Sequence, residues 1–252
     1  MYAFKHLLTA LLLCTLCIIP YTASSADTNA DCRGYVWRID TAAGNAAELP
    51  HNFRTAASPF QTRTDAAKFG VDPNYTPSRE GLDALPLWGS AEFSVPAFHA
   101  LLKDLHTRAK GSICIVDLRQ ESHGFMNGNA VSWYGKHDWG NIGRTKHEAL
   151  RDENMRIRSA QGKDVVLAHL DKKKQPKNQQ TVRVTAAMTE RELVEDAGVR
   201  YVRLAVTDHK WADPQTIDKF VDLVKKSLRT HGCTFTVRQA RDARPALWRC
   251  TI

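Results

Sequence analysis

The feature that most constrains the fold is a unit that occurs twice: a helical apolar stripe, a short apolar strand, and polar residues placed just past the strand. In the first copy Ser94 followed by Pro96 has the form of a helix start, and Phe98, Leu101, Leu102 and Leu105 recur at helical spacing. Gly111 closes that helix, and Ser112 to Leu118 forms a strand ending in Asp117-Leu118-Arg119. In the second, Thr189 and Glu192 make a capping box, Leu193 and Val194 supply the apolar face, and Gly198 ends the helix. The strand Tyr201 to Val206 then runs into Thr207-Asp208-His209. Asp213, before Pro214, caps a further helix whose buried stripe is Ile217, Phe220, Val221 and Val224. Helices alternating with strands predict an α/β core with a central sheet flanked by helices.

The two ends of the chain read differently. Residues 27–89 are rich in Ala, Thr, Asn and Pro and read as loops and short strands, which predicts a small β-rich N-terminal or inserted subdomain. An α/β core expects another buried strand after the Asp213 helix, yet residues 229–252 show no period. That tail is expected to be disordered, leaving the C-terminal part of the core missing. The boundaries that follow are a leader over 1–26, a domain over 27–228 and the tail over 229–252.

The leader is read from Lys5 and His6 before an apolar run from Leu7 to Ile19, with Ser24-Ser25-Ala26 offering small residues for cleavage. The run is about 13 residues, short of the roughly 20 that a spanning helix needs. A secreted or periplasmic chain beginning near Asp27, without stable membrane association, is the expectation. Cys14 and Cys17 leave with the leader and Cys114 sits in a strand, so Cys32, Cys233 and Cys250 give no disulfide framework. The net charge is +8, but Arg229, Arg238, Arg241, Arg244 and Arg249 concentrate much of it in the tail, so no nucleic-acid surface is implied. The histidines are scattered without metal-ligand spacing, and no metal or cofactor is expected.

The stretch Val116-Asp117-Leu118-Arg119-Gln120-Glu121-Ser122-His123-Gly124, followed by Ser132-Trp133-Tyr134-Gly135 and Asp138-Trp139, resembles the bacterial cysteine phytases. These are tyrosine-phosphatase-like phosphatases of inositol polyphosphates. Asn52-Phe53-Arg54-Thr55 upstream and Thr207-Asp208-His209 with Ile217-Asp218-Lys219-Phe220-Val221 downstream agree in order. The resemblance implies a tyrosine-phosphatase-like core and hydrolysis of phosphate monoesters of myo-inositol hexakisphosphate through a phosphocysteine. It also implies Asp208 as general acid, and Arg54, Lys173, Lys174 and His209 as cations for the substrate's phosphates. Asp117 resembles a substrate-contacting aspartate, with a cap on Arg119 or a backbone turn as the alternative. Trp133 and Tyr134 are expected to pack, and Asp213 to cap.

The sequence departs from the family where its chemistry rests. A loop of the form H-C-x-x-G-x-G-R-T is expected after the Asp213 helix, and Thr234-Phe235-Thr236-Val237-Arg238-Gln239 stands there instead. Permitted codons for Arg229 to Thr251, read one base earlier, give D-A-W-L-H-F-H-C-Q-A-G-K-G-R-T-T-S-F-M-A-M-Y-D, which contains that loop in phase. Loss of one A from the run encoding Lys225-Lys226 produces the sequence as it stands. Cys233 is out of that frame and no arginine follows it at the loop's spacing, so it is not read as the nucleophile. The chain is therefore expected to be inactive. The alternatives are a catalytically dead polyanion-binding protein and a relative of the protein-tyrosine phosphatases; sequence does not decide oligomeric state.

Overall fold

The computed structural model describes residues 34–44, 48–59, 72, 75, 78–109, 111–208, 210–229 and 234–238. All belong to the unit Asp31–Ile252; a separate unit, Met1–Ala30, and with it the expected leader, lies outside the described residues. No helix among the described residues is long and apolar enough to cross a membrane.

A five-stranded sheet holds β2 (Arg54–Thr55), β3 (Leu87–Ser90), β4 (Ile113–Arg119), β10 (Arg200–Val206) and β11 (Thr234–Arg238), in the order β10-β4-β11-β3-β2. Its first four strands run parallel, and β2 pairs antiparallel with β3. A second sheet holds β1 (Val36–Thr41), β5 (His123–Met126), β6 (Asn129–Tyr134), β7 (Asp164–Leu170), β8 (Pro176–Arg183) and β9 (Ala187–Met188), in the order β8-β7-β1-β6-β5-β9. The helices are α1 (Val95–Arg108), α2 (Lys146–Ala160), α3 (Glu190–Asp196) and α4 (Pro214–Arg229). The expected α/β core is present, and its β-rich part is a six-stranded sheet, five strands of which are inserted between β4 and β10.

Local chemistry sets the helix starts. The Ser94 hydroxyl accepts from the Ala97 amide at 3.4 Å with Pro96 in the first turn of α1. Thr189 and Glu192 form the reciprocal box at α3, and Gly198, at φ +72°, supplies the left-handed turn after it. Asp213 accepts from the Thr216 amide at 2.9 Å at the start of α4. The Thr216 hydroxyl and amide hold the Asp213 carboxyl below its usual range.

Strand β4 is buried on both faces, as a parallel central strand must be. Ile113 and Ile115 join Phe93, Phe98, Leu101 and Leu105 under α1, while Cys114 and Val116 face Leu87 and Leu204. Phe98, Leu101 and Leu105 are fully buried; each such side chain contributes about 1.5–3 kcal/mol.

The tail corrects one expectation. Residues 229–252 are not wholly without structure: Thr234–Arg238 is a strand, paired on one side with Leu87–Ser90 and on the other with Ile113–Asp117. Thr234, Thr236 and Val237 are β-branched and Phe235 is aromatic, a composition that suits a strand flanked by two partners. Five residues among polar neighbours are too few to show a period, so sequence reading passed over them.

Candidate functional site at the carboxyl ends of the parallel strands

Because β3, β4, β10 and β11 are parallel, their carboxyl ends open on one edge, where α/β sheets place ligands. Asp208 stands on the loop leaving β10 and is nine-tenths buried. The indole N–H of Trp139 donates to the Asp208 carbonyl at 2.9 Å. The Thr207 hydroxyl donates to Gln120 Oε1 at 2.5 Å, and Gln120 in turn donates to the Arg144 carbonyl at 3.1 Å. The loop carrying Thr207 and Asp208 is thus tied to the segment following β4 and to the turn after β6.

Arg54 lies half-buried on β2, opposite Gly89, with Nε 3.4 Å from the Asn52 carbonyl. Strands β2 and β10 are the two edges of the sheet, roughly 19 Å apart at ordinary strand spacing. Arg54 and Asp208 therefore flank the carboxyl end of β11 from opposite sides. Lys173 and Lys174 belong to the exposed turn between β7 and β8 in the other sheet, where Asp171 Oδ1 accepts from the Lys173 amide at 2.7 Å. His209 and Cys233 lie outside the described residues.

Asp117 has a structural setting. It is fully buried: Oδ1 accepts from the Arg119 amide at 2.9 Å and Oδ2 from the Tyr201 hydroxyl at 2.6 Å. Arg203 Nη1 and His123 Nε2 each lie 3.0 Å from Oδ2. A carboxylate enclosed in this way is not presented to a substrate, so the cap on Arg119 takes the place of the substrate contact.

Asp117 belongs to a buried ionic cluster that joins the two sheets through the β4–β5 connection. Arg203, fully buried, donates to the carbonyls of Arg119 and of Glu121, the latter at 3.0 Å, and to Glu153 at 3.0 Å. Arg119 pairs with Glu92, with Glu121 at 2.5 Å and with Asp40 at 3.2 Å. Arg38 pairs with Asp40, and with Asp138 at 2.8 Å. Burial, opposed by Arg38 and aided by Glu121 and Asp40, lifts the Asp138 carboxyl to about 7.

Asp117, His123 and Glu190 place three ligand atoms within 4.8 Å of one another, the donor set a metal ion would want. Arg203 Nη1 stands 3.4 Å from His123 Nε2, where an ion's charge would otherwise act. Burial and the cations Arg119 and Arg203 push the imidazole down, yet Asp117 and Glu153 outweigh them and raise it to about 10. Metal binding would have to remove that proton and displace the guanidinium. The cluster is thus compensated as an ion-pair centre.

A pH dependence follows. His123 is raised from 6.5 to about 10, so its contribution is complete below pH 6.5 and disappears as pH rises through 10. Chemical denaturation between pH 7 and 10 should show stability falling steadily. The slope should flatten in His123→Gln, and an equal slope in that variant would assign the loss to other groups.

Gln120 and Trp139 stand in the motifs of the resemblance without an assigned role, and sequence reasoning missed Glu153, Glu190 and Arg203. One signal was available: arginine in the middle of the apolar strand Tyr201–Val206 must carry its own counter-charges. Trp133 and Tyr134 pack as expected, Trp133 against Trp37 at 5.3 Å between ring centroids and Tyr134 beneath Arg38 at 5.1 Å.

Comparison with known proteins accords with this geometry. Residues 116–239 match the PTP-like phytase family, described by inositol hexakisphosphate. The PTP-like myo-inositol phosphatase from Mitsuokella multacida, solved with myo-inositol-(1,3,4,5)-tetrakisphosphate, is 44% identical with a TM-score of 0.74, over 84% of this chain and 35% of that one. The tandemly repeated protein tyrosine phosphatase like phytase from the same organism is 45% identical at a TM-score of 0.75, over 85% and 36%. A PTP-like phytase from Bdellovibrio bacteriovorus is 29% identical at 0.51, over 62% and 54%. Effector protein hopD2 of Pseudomonas syringae pv. tomato is 33% identical over 125 residues, 48% of this chain and 27% of its own length. The chain thus spans about a third of the Mitsuokella structures and about a quarter of hopD2. On the motifs from Val116 to Trp139, the parallel sheet and these matches, the chain is similar over residues 116–239 to the PTP-like phytase family.

Proposed function

We propose that this chain derives from an exported phosphatase of myo-inositol hexakisphosphate, with Asp208 as the acid that protonates the leaving alkoxide and a nucleophile loop lost to a frame slip near Lys225. The carrying observation is the position of Asp208 at the edge where β11 ends, while β11 itself reads Thr-Phe-Thr-Val-Arg. In the shifted reading the thiol falls where Thr236 now stands, within the central strand register. Arg54, Lys173, Lys174 and His209 are proposed as cations for substrate phosphates, Arg suiting bidentate contact and Lys a point charge. The inositol tetrakisphosphate bound by the Mitsuokella relative supports a small phosphorylated polyol as the ligand class.

The test is phosphate release and equilibrium binding of inositol hexakisphosphate by the 252-residue chain and by a version with one A restored in the codons for Lys225-Lys226. Turnover by the restored protein supports the reading. Asp208→Asn in that background should slow release by about 10²–10⁴-fold, the range for a general acid. Unchanged rates would remove Asp208 from the role. Binding without turnover in both proteins would favour the polyanion-binding alternative.

A further inference from the structure

Trp139 is fixed on both sides before it reaches the acid loop. The turn Lys136–Asp138 carries His137 and Asp138 at φ +61°, a conformation unfavourable for residues with a Cβ. Asp138 is held there by Arg38 Nη1 at 2.8 Å. On the other side, a Cβ on Gly140 would stand 2.6 Å from the Trp133 carbonyl oxygen, so this close approach requires glycine. The Trp139 amide donates to the Lys136 carbonyl at 3.1 Å, and its own carbonyl accepts from Ile142 at 3.0 Å. Main-chain strain and a buried ion pair thus converge on the orientation of a single half-buried indole.

Besides packing against His137 at 5.1 Å between ring centroids, that indole makes two contacts with the loop after β10, at Asp208 and at Lys210. Its N–H donates to the Asp208 carbonyl at 2.9 Å, and Lys210 Nζ stands 4.7 Å from the ring centroid. The first fixes the peptide plane following Asp208; the second presses the next turn of the loop onto the ring face. We propose that Trp139 is a positioning residue for the acid loop, setting where the Asp208 carboxyl stands. This rests on the reading of Asp208 as the leaving-group acid. An acid must lie within hydrogen-bond reach of the oxygen it protonates, so a loop released from the indole delivers its proton less often.

The first arm of the test needs no activity. The Lys210 amide donates to the Thr207 carbonyl at 3.2 Å, and its hydrogen exchange reports opening of this loop. In the 252-residue chain Trp139→Phe, which keeps an apolar ring but removes the donor, should speed exchange across 207–210 roughly tenfold. Exchange in α1 should stay at the parent rate. Lys210→Met should speed the same peptide less, and serves if the first variant folds poorly. Unchanged exchange over 207–210 in the folded variant overturns the proposal.

The second arm separates positioning from general support. In the frame-restored protein, Trp139→Phe should lower kcat for inositol hexakisphosphate about tenfold, because an alkoxide leaves poorly without its proton. An aryl phosphate with an acidic phenol leaving group should be hydrolysed within about twofold of the parent rate, since its departure needs little protonation. Equal slowing on both substrates overturns the positioning role. If the restored parent hydrolyses neither, the phosphatase reading fails, and the exchange arm alone decides whether Trp139 holds the loop.

Discussion

Restoring one A in the codons for Lys225-Lys226 should turn a chain with no measurable phosphate release into one that hydrolyses inositol hexakisphosphate. The expected difference is the largest here because it concerns the nucleophile. A general acid assists a bond that another group has begun to break, and its share of about 10²–10⁴-fold has nothing to act on without attack at phosphorus. The shifted reading supplies a thiol, backbone N–H groups at a helix start and an arginine together, and such donors aimed at the transferring phosphoryl group carry much of the stabilisation. Replacing the restored cysteine with serine should abolish release while leaving substrate binding in place. Hydrolysis by the unrestored chain at a comparable rate would sink the frame-slip account.

Arg203→Met should destabilise the fold by about 3–5 kcal/mol, a large part of the roughly 5–15 kcal/mol that holds a domain together. The cost lies in what the substitution leaves behind. Asp117 and Glu153, each 3.0 Å from Arg203 Nη1, would stay buried without that cation, and the carbonyls of Arg119 and Glu121 would lose a donor. Burial lowers the guanidinium, but Asp117 and Glu153 outweigh it and raise its pKa well above the ordinary arginine value. Adding Glu153→Gln should recover part of the loss, because the two changes share a partner. The exposed pair Arg158–Glu192, 2.8 Å apart, makes the contrast: Arg158→Ala should cost less than about 1 kcal/mol. A small effect at Arg203, measured by chemical denaturation, would mean that water or a shifted side chain compensates the cluster.

How far the sequence reveals this fold depends on how local the cause is. Ser94, Thr189 with Glu192, Gly198 and Asp213 mark α1, α3 and α4 because caps and turns act over three or four residues. The same grammar at Thr145 and Glu148 opens α2 and went unread, since its charged face hides the short apolar set Ala149, Ile157 and Ala160. Most of the six-stranded sheet was missed for another reason: β8 is exposed along nearly its whole length, so no alternation marks it. At the site, the proposed role of Asp208 rests on its place after a strand and its likeness to the family's motif. The partners of Asp117 were not legible, because Tyr201 and Arg203 come from a strand 84 and 86 positions away.

The place of β11 orders events during synthesis. It fills the slot between β3 and β4, whose residues leave the ribosome more than a hundred positions earlier. Until Arg238 has emerged, those two parallel strands have no common neighbour, and each turns an unpaired row of amides and carbonyls toward the vacancy. The central sheet is therefore completed from the middle and last, through contacts of long sequence separation, which makes closure slow and leaves sticky edges bare during elongation. Main-chain pairing governs entry to the slot, so a segment with β-branched residues can dock there whichever frame encodes it. Ribosome-bound chains stopped before Thr234 would carry two facing edges, each a template for an intruding strand.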